Sequence, residues 1–521
     1  MTDISITTAN GEMMTTQCVP HVSLARTIFL LGLWQDVPLC SGLGKCGLCA
    51  VRFLSEPPTP HPEEHKRFSG EELADGWRLA CLHDSVPCSL ELPRPRTSPA
   101  TKTRTGQSGG NFLLAVDLGT TSIHCSALVN GKRTLLQTGL NPQTGLGSEV
   151  MSRLALAADP QHARTLRSLV IRRLEEYAAS ARKTLGGQCI GMAISGNSAM
   201  TYILLGLETA TLAHAPYSLP YAGNDTRTIS PNLPPAFIPP LYAPFVGADI
   251  SAGLAAIHFS ENETFPHLLA DMGTNGEFVL SLSETERICA SVPMGPALEG
   301  VGLRHGQTAG PGVISAFAAT PAGIAPQRIP NSENPGDTTP HKAMTGTGYL
   351  SLAALLLANG VLDEHGHFRS GCTPLAMKLK TRLTQLGDEP AFAVMPGLIV
   401  PASDMEEILK VKAAFNLAVS ELLQNAGLAP GDLAAVHVAG AMGEHVSLDD
   451  LETLGFLPHD ACARTTRAGN TSLAGTELLL TRPEARLWLA ETPESMRVLD
   501  LTDDPSFGNR YVERMRFTHV D

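Results

Sequence analysis

Alternating and helical hydrophobic patterns predict one small α+β domain at the start of the chain. Ile4 and Ile6 alternate with polar residues ahead of an Asn-Gly turn and a second alternating run, which predicts a β-hairpin. Ser23 stands before the first apolar position of a helical pattern, as an N-cap residue does. The further elements predicted here are strands over 49–54 and 88–92 and a short helix over 70–81.

From Asn111 onward the pattern changes to long apolar strands that end in small and acidic residues. The first such strand leads into DLGTT at 117–121, the second into DMGTN at 271–275, and the third into AGAMG at 439–443. The segment 93–110, between the two patterns, is rich in Pro, Ser, Thr and Gly. We therefore predict a flexible linker there.

Composition and charge narrow the classes of protein that fit. A chain of 521 residues with 43% hydrophobic residues is long enough for several globular domains. The net charge of −13 argues against a nucleic-acid partner. No run of about 18 apolar residues appears, and the N-terminus lacks the pattern of a signal peptide, so we expect a cytoplasmic protein without a membrane partner.

Four of the 11 cysteines form a metal-binding pattern. Cys40, Cys46 and Cys49 give C-x5-C-x2-C, one residue longer in its first gap than the plant-type [2Fe–2S] spacing, and Cys81 supplies the fourth thiolate. Glycines between them allow a tight loop around the inorganic core. Zinc is the alternative, although structural zinc favours two C-x2-C pairs and only one is present. Cys88 is a second candidate for the fourth ligand.

The strand ends carry the residue types of a phosphate site. Backbone N–H groups at glycine-rich turns can surround phosphate oxygens, and an Asp at a strand end can hold Mg²⁺. Asp117 or Asp271 alone is also compatible with an ordinary turn, and Asp249 and Glu277 are further candidates for contact with Mg²⁺ or water. The predicted nucleotide ligands are Gly119, Thr120, Thr121, Gly273, Thr274, Asn275, Gly276, Gly440, Ala441 and Gly443.

The three strand-end motifs, in this order, resemble the phosphate-1, phosphate-2 and adenosine motifs of the acetate-kinase/sugar-kinase/Hsp70/actin (ASKHA) superfamily. With an N-terminal region similar to β-grasp ferredoxins, the chain resembles the ATP-dependent reductive activators of corrinoid proteins. Met442 stands where an aromatic residue is common, and the region 94–190 is shorter than expected for this family. The supporting stretches are 196–207, 245–253, 291–300, 344–352, 455–458 and 469–480.

The resemblance implies a multidomain α+β and α/β architecture. It would combine a β-grasp [2Fe–2S] ferredoxin with a two-lobed ATPase, and any separate middle domain would be reduced. The implied divisions are a ferredoxin-like domain over 1–92, the linker over 93–110, a first lobe over 111–245 and a second lobe over 246–521.

The resemblance also implies an activity. ATP would drive one electron from the [2Fe–2S] cluster to Co(II) of a corrinoid protein, regenerating Co(I) for methyl transfer in an anaerobic cell. Asp117 and Asp271 would be the catalytic residues, with Mg²⁺ and ATP as cofactors. The implied partners are the corrinoid protein and an upstream electron donor, and a homodimer is left open.

Three alternatives are also compatible with the sequence. The chain could activate another low-potential enzyme, as activators of 2-hydroxyacyl-CoA dehydratases do, although those hold a [4Fe–4S] cluster between two subunits. It could be a non-catalytic redox or nucleotide sensor. A small-molecule kinase is the third alternative, but an iron–sulfur cluster would have no role in one.

Overall fold

The structure, a computed structural model, describes residues 3–19, 21–94, 100–106, 109–260, 263–330, 342–440, 445–501 and 504–519. Within these ranges the strands form three large sheets, of five, seven and six strands, and two small ones. No helix of the described chain is long and apolar enough to cross a bilayer. The domain limits given above stay predictions.

The first sheet has the order β2-β1-β5-β3-β4, in which β1 and β5 run parallel. Ser23 caps the first helix by accepting a hydrogen bond from Arg26 N at 3.3 Å, as the sequence predicts, and the β1–β2 hairpin is confirmed. The elements of this part are β1 (Asp3–Thr7), β2 (Met13–Gln17), α1 (Leu24–Leu30), β3 (Ala50–Phe53), α2 (Pro62–His65), α3 (Gly70–Ala74), β4 (Trp77–Leu79) and β5 (Cys88–Glu91).

The helix predicted over 70–81 is wrong in its second half. Helix α3 ends at Ala74, and the chain then forms β4 and a 3-10 turn over Ala80–Leu82. Gly76 permits the change of direction, since its φ is +90° and a Cβ there would lie 2.6 Å from Phe53 O of the neighbouring strand. Cys81 is therefore held by a strand and a turn.

The prediction of a flexible linker over 93–110 is also partly wrong. Residues Thr101–Arg104 form strand β6, which pairs antiparallel with residues 135–138 at the edge of the second sheet. All four β6 residues are exposed, so backbone hydrogen bonds rather than apolar burial place the strand there. The linker residues 95–99 and 107–108 lie outside the described residues.

The second sheet has the order β11-β12-β10-β7-β8-β9-β6. Its elements after β6 are β7 (Phe112–Leu118), β8 (Ser122–Val129), β9 (Lys132–Leu140), α4 (Val150–Ala157), α5 (Pro160–Leu185), β10 (Cys189–Ser195), α6 (Ser198–Leu205), α7 (Ala210–Ala213), β11 (Asp225–Arg227) and β12 (Ala236–Ile238).

The third sheet has the order β22-β21-β13-β14-β15-β23. The elements of this part are α8 (Ala248–His258), β13 (His267–Met272), β14 (Asn275–Ser283), β15 (Glu286–Pro293), β16 (Ile314–Thr320), β17 (Gly323–Arg328), α9 (Gly346–Ala358), α10 (Pro374–Leu379), β18 (Leu383–Leu386), β19 (Glu389–Met395), β20 (Leu398–Pro401), α11 (Ala402–Ala426), β21 (Ala435–Ala439), α12 (Leu448–Thr453), β22 (Thr465–Gly469), α13 (Thr471–Thr481), α14 (Pro483–Glu491), β23 (Met496–Val498) and α15 (Phe507–Glu513).

The two larger sheets repeat one topology. In each, three consecutive strands form an antiparallel meander, and later strands add in parallel on the side of the first. In the second sheet β10 pairs with β7, and in the third β21 pairs with β13 and β22 with β21. The parallel pairing brings the ends of β7 and β10 to one sheet edge, and those of β13 and β21 to the corresponding edge of the other sheet. This repeated topology is expected of two related lobes.

Helices α8 and α13 pack between the two larger sheets. Ile250 and Leu254 of α8 belong to a buried cluster on the third sheet, whereas Ala252 packs with Ala193 of the second. Helix α13 contacts both α8 and strands β7 and β10. Gly475 of α13 permits a close approach, since a Cβ there would overlap the backbone of α8. Both sheets are thereby fixed around one set of strand ends.

Candidate functional site

A cavity lies where the strand ends of the two larger sheets meet. Asp117 lies near the end of β7, Asp271 near the end of β13, and Gly440 directly after β21. The predicted nucleotide-site residues that line this cavity are Asp117, Gly119, Thr120, Asp271, Gly273, Thr274, Asn275 and Gly440. The two Asp-x-Gly-Thr hairpins thus face one space, which we call the carboxylate cavity.

The remaining predicted residues do not line it. Thr121 is 1% exposed, and its hydroxyl lies 2.9 Å from the Thr274 hydroxyl, so it joins the two hairpins. Gly276 lies within β14 beneath Met294. Ala441 and Gly443 lie outside the described residues.

Helix α13 fixes Asp117. The Asp117 carboxylate accepts hydrogen bonds from Asn470 Nδ2 at 2.7 Å and from Ser472 Oγ at 2.8 Å. Asn470 also caps α13 by accepting from Leu473 N at 2.7 Å. The carboxylate of the first hairpin is therefore oriented by a helix that lies more than three hundred residues later in the chain.

Five carboxylates line the cavity, and their charges repel one another. Burial first, and Asp117 second, raise the pKa of Asp249 to about 7. Burial and the neighbouring acids likewise raise the pKa values of Asp271 and Glu277 well above their usual range, and burial raises the pKa of Glu299. Among the described residues, Glu277 Oε1 has no hydrogen-bond partner although it is buried. A divalent cation bound among these carboxylates would favour their ionised forms.

Short polar contacts join the two hairpins to the surrounding chain. Thr274 donates to Glu299 Oε1 at 2.6 Å, and Asn197 Nδ2 donates to Thr120 Oγ1 at 2.9 Å. Gly440 has φ +95°, and a Cβ there would lie 2.7 Å from Asp271 Oδ1. The position after β21 therefore has no room for a larger residue beside the second Asp.

Some lining residues have no role in the sequence interpretation. Apart from Ser122 and His124 on β8, they are Asn197, Glu299, Asn470 and Ser472. Each lies in one of the stretches 196–207, 291–300 and 469–480, which support the family resemblance. The family resemblance marks these stretches, but the sequence does not show which residue of each stretch faces the cavity.

The four predicted cluster ligands line a second cavity, of about 190 Å³, which we call the cysteine cavity. Cys40, Cys46 and Cys49 are between 2 and 4% exposed. The loop that carries them has positive φ at Gly42, Gly44 and Gly47, which confirms the predicted need for glycine. The alternative ligand, Cys88, lies in β5 and does not line the cavity.

The cysteines of this cavity form two pairs. The side chain of Cys46 contacts that of Cys40 and lowers the Cys40 pKa to about 6, whereas Cys49 contacts Cys81. Among the described residues, no group of three or more His, Cys, Asp or Glu side chains is arranged to hold a metal ion, either in this cavity or in the carboxylate cavity.

A buried acid, absent from the sequence prediction, holds the segment of Cys81. Glu64 is fully buried, and its carboxylate accepts hydrogen bonds from Leu79 N and from His61 N, the latter at 2.7 Å. His83 Nε2 lies 3.0 Å from the same carboxylate. Burial alone would raise the pKa of Glu64, but His83 and the backbone donors lower it overall.

The second-sheet part of the chain supplies one wall of the cysteine cavity. Gly145 and Leu146, from the loop between β9 and α4, line it beside the cysteines. Ser41 Oγ donates to Thr144 O at 2.7 Å. The cysteine cavity is thus closed by residues from two parts of the chain that the sequence predicts as separate domains.

Comparison with known proteins covers most of the chain. The family model of the RACo middle region matches residues 112–262, and that of the C-terminal domain of RACo, the ASKHA domain, matches residues 266–521. The corrinoid activation enzyme RamQ of Eubacterium limosum is 27% identical over 427 residues, or 78% of this chain and 70% of that protein.

Two further similarities agree with these matches. The Co(II) methylated amine-specific corrinoid protein reductase of Methanosarcina barkeri is 29% identical over 261 residues, 47% of this chain and 44% of that protein. A solved reductive activator for a corrinoid, iron-sulfur protein aligns over 100% of this chain and 99% of that chain, with a TM-score of 0.69 and 20% identity, and so shares the fold. The chain therefore belongs to the RACo family of reductive activators of corrinoid proteins.

Proposed function

We propose that this protein uses ATP to drive the transfer of one electron from a [2Fe–2S] cluster to the Co(II) of a corrinoid protein. The acceptor gains the electron and becomes Co(I), and an external reductant restores the electron that the activator has lost. The observation that carries this proposal is the presence, in one chain, of a buried four-cysteine cavity and a carboxylate cavity between two lobes.

Cys40, Cys46, Cys49 and Cys81 would hold the cluster. Their two pairs fit two irons with two thiolates each, whereas a structural zinc ion needs all four around one point. The group would supply one-electron chemistry at about −400 mV, the range of plant-type clusters. The chain's own contribution is burial of the thiolates, which excludes water and limits exchange with other thiols.

The carboxylate cavity would hold Mg²⁺ and the nucleotide phosphates. Asp117 and Asp271 would position the cation, and the backbone at Gly119 and Gly273 would approach the phosphates. Gly440 would allow the base or ribose to lie close to the strand end. Support comes from the raised carboxylate pKa values, since bound Mg²⁺ would offset the burial and the repulsion that raise them.

ATP is needed on energetic grounds. Co(II) is hard to reduce, and a one-electron transfer loses a factor of ten in its equilibrium for each ~59 mV by which the donor potential falls short. Nucleotide can assist only by binding more tightly to one conformation or complex than to another. The position of the carboxylate cavity between two lobes suits such a change, because closure of the lobes would alter the contacts on both sides.

The test is anaerobic and uses the iron-reconstituted full chain. It is mixed with a Co(II) corrinoid protein from the same cell, a chemical reductant and Mg-ATP, and the cobalt absorption spectrum is followed. We expect Co(I) only when ATP is present, with loss of the signal in Cys46→Ala and in Asp117→Ala. ATP hydrolysis without a change in the cobalt spectrum would overturn the proposal that a corrinoid protein is the electron acceptor. Absence of both ATP hydrolysis and cobalt reduction would favour a redox or nucleotide sensor.

A further inference from the structure

The loop between β9 and α4 lines the cysteine cavity and is hydrogen-bonded to a turn that lines the carboxylate cavity. We infer that Asn141 and Arg153 are positioning residues that link the carboxylate cavity to the cysteine cavity, so that nucleotide binding changes the packing around the cluster ligands. We call residues 141–147 the connecting loop. The inference rests on the proposed function, because it takes the carboxylate cavity as the nucleotide site and the cysteine cavity as the cluster site.

At the nucleotide end, the connecting loop holds the turn of the first hairpin. Asn141 N donates to Thr121 O at 2.7 Å, and Asn141 Nδ2 donates to Gly119 O at 2.8 Å. Arg153 Nη2 donates to Thr120 O at 2.5 Å. Three successive carbonyl groups of the turn are therefore bound to two residues, and the turn cannot shift without moving them.

Arg153 joins this turn to the rest of the connecting loop. It is fully buried, and its guanidinium also donates to Gly147 O at 2.7 Å and to Gln143 Oε1 at 3.1 Å. Burial lowers its pKa to about 9, while the charge of Glu299 in the carboxylate cavity opposes that shift. The charge of the Arg153 guanidinium therefore interacts with that of the carboxylate cavity. Its hydrogen bonds hold the connecting loop in place.

At the other end, the connecting loop forms part of the wall around the cluster ligands. Ser41, the residue after Cys40, donates to Thr144 O at 2.7 Å, and the Thr144 hydroxyl donates to Asn141 O at 2.7 Å. Gly145 lies against the ring of Phe29, where a Cβ would overlap it. The hydrogen-bonded path from the phosphate turn to the cysteine loop is therefore continuous.

Another contact of the cysteine loop does not involve the carboxylate cavity. The ion pair of Lys45 with Glu407, at 2.7 Å, joins the cysteine loop to α11. Both side chains are partly exposed, so the pair contributes little to stability. It provides a matched control, since Glu407→Gln removes a contact of the cysteine loop and leaves the connecting loop intact.

The test measures amide hydrogen exchange of residues 40–49 in the iron-reconstituted full chain, with and without a saturating Mg²⁺ complex of a non-hydrolysable ATP analogue. Nucleotide affinity is measured by calorimetry on each variant. In the wild type and in Glu407→Gln we expect the analogue to change protection by about fivefold or more, the lower range of coupling between sites. The midpoint potential of the cluster, followed by EPR, should shift on analogue binding in the same two proteins.

Two variants break the path at opposite ends. Ser41→Ala removes the bond to Thr144 and leaves every residue of the carboxylate cavity unchanged. Arg153→Lys retains a basic side chain but cannot reach Thr120 and Gly147 together, because the amine lacks the forked geometry of guanidinium. In both variants we expect the nucleotide-dependent change in exchange and potential to disappear while the analogue still binds.

The outcomes separate the two proposals. An unchanged nucleotide response in Ser41→Ala and Arg153→Lys, or no response in a wild type that binds the analogue, would overturn the link and leave the proposed function standing. Failure of the wild type to bind the analogue at all would overturn the nucleotide site, and the link with it.

Discussion

At the scale of single residues, the carboxylate cavity shows why sequence motifs identify a site but not its full membership. Asp117 and Asp271 stand out because each ends an apolar strand. Glu277 follows Asp271 closely, yet whether it faces the cavity depends on its direction on β14. In the structure it is 5% exposed and lines the cavity.

Glu277 provides the first prediction. Burial first, and the charges of Asp249 and Asp271 next, raise its pKa well above the usual range, which favours the protonated form that Gln imitates in shape. We expect Glu277→Gln to leave the unfolding temperature within a few degrees of the wild type. Mg-ATP turnover should fall by about a hundredfold, in the range of acid–base contributions.

Steady-state ATP hydrolysis and thermal unfolding without nucleotide measure the two effects. Glu286→Gln, on the exposed start of the neighbouring strand β15, is the matched control. A structural role for Glu277 would give the opposite result, namely lower stability with turnover preserved.

At the scale of secondary structure, local pattern predicts the strands well and the connections poorly. The predicted hairpins are present as β1–β2, β7–β8 and β13–β14, because period-two burial and turn residues are local signals. Strand β6 falls within the predicted flexible linker because its four exposed residues carry no apolar pattern. Its order comes from pairing with β9, which the sequence of the segment does not encode.

Contacts between distant segments cannot be predicted, for the same reason. The bonds from Asn470 and Ser472 to Asp117 join residues at opposite ends of the longer part of the chain. The fold class, with a ferredoxin-like part and an ASKHA part, is confirmed by the family matches and the solved activator. The roles of individual site residues stay predictions until nucleotide and cluster binding are measured.

The segment of Cys81 gives a prediction at this scale. Glu64 accepts backbone hydrogen bonds through both carboxylate oxygens, so Gln would turn an amide N–H₂ group toward a donor. A buried donor left without a partner costs about 1–3 kcal/mol. We expect Glu64→Gln to lower the unfolding temperature and to release iron faster, since Leu79 and its neighbours would hold Cys81 less firmly.

Iron release to a chelator, followed by visible absorbance, tests this expectation against Glu63→Gln, which alters only an exposed ion pair with Lys66. The pKa of Glu64 is lowered in the folded protein, so its contribution to stability is present above the unfolded pKa and is lost as pH falls through the folded value. Acid should therefore accelerate iron release in the wild type more than in Glu64→Gln. Equal release rates in the two variants at neutral pH would contradict the role assigned to Glu64.

At the scale of the whole molecule, the acids that line the carboxylate cavity come from both lobes, and they repel one another when ionised. Asp117 lies on the first hairpin, Glu299 is bonded to Thr274 of the second, and Asp249 lies on α8 between the sheets. Arg153 is a buried cation whose charge is coupled to Glu299. One such cation does not balance five acids, so without a bound metal ion, ionisation of the acids opposes the closed arrangement of the lobes.

This repulsion predicts how stability depends on pH. Asp249 has a folded pKa of about 7, and those of Asp271 and Glu277 are raised well above their unfolded values. For raised carboxylate pKa values, the stability is fully present below the unfolded pKa and is lost as pH rises through the folded value. A pKa difference of one between the folded and unfolded states is equivalent to about 1.4 kcal/mol. The nucleotide-free protein should therefore lose several degrees of unfolding temperature between about pH 5 and pH 8.

Bound Mg²⁺ and nucleotide should remove most of this pH dependence, because a cation among the carboxylates favours their ionised forms. Differential scanning calorimetry across pH, with and without Mg-ADP, measures the effect on the iron-loaded chain. Asp271→Asn, which removes one of the repelling charges, should flatten the profile without nucleotide and weaken the response to Mg-ADP. A profile that rises with pH in the nucleotide-free protein would show that the acids are paired rather than repelling, and the cavity would then have no need of a cation.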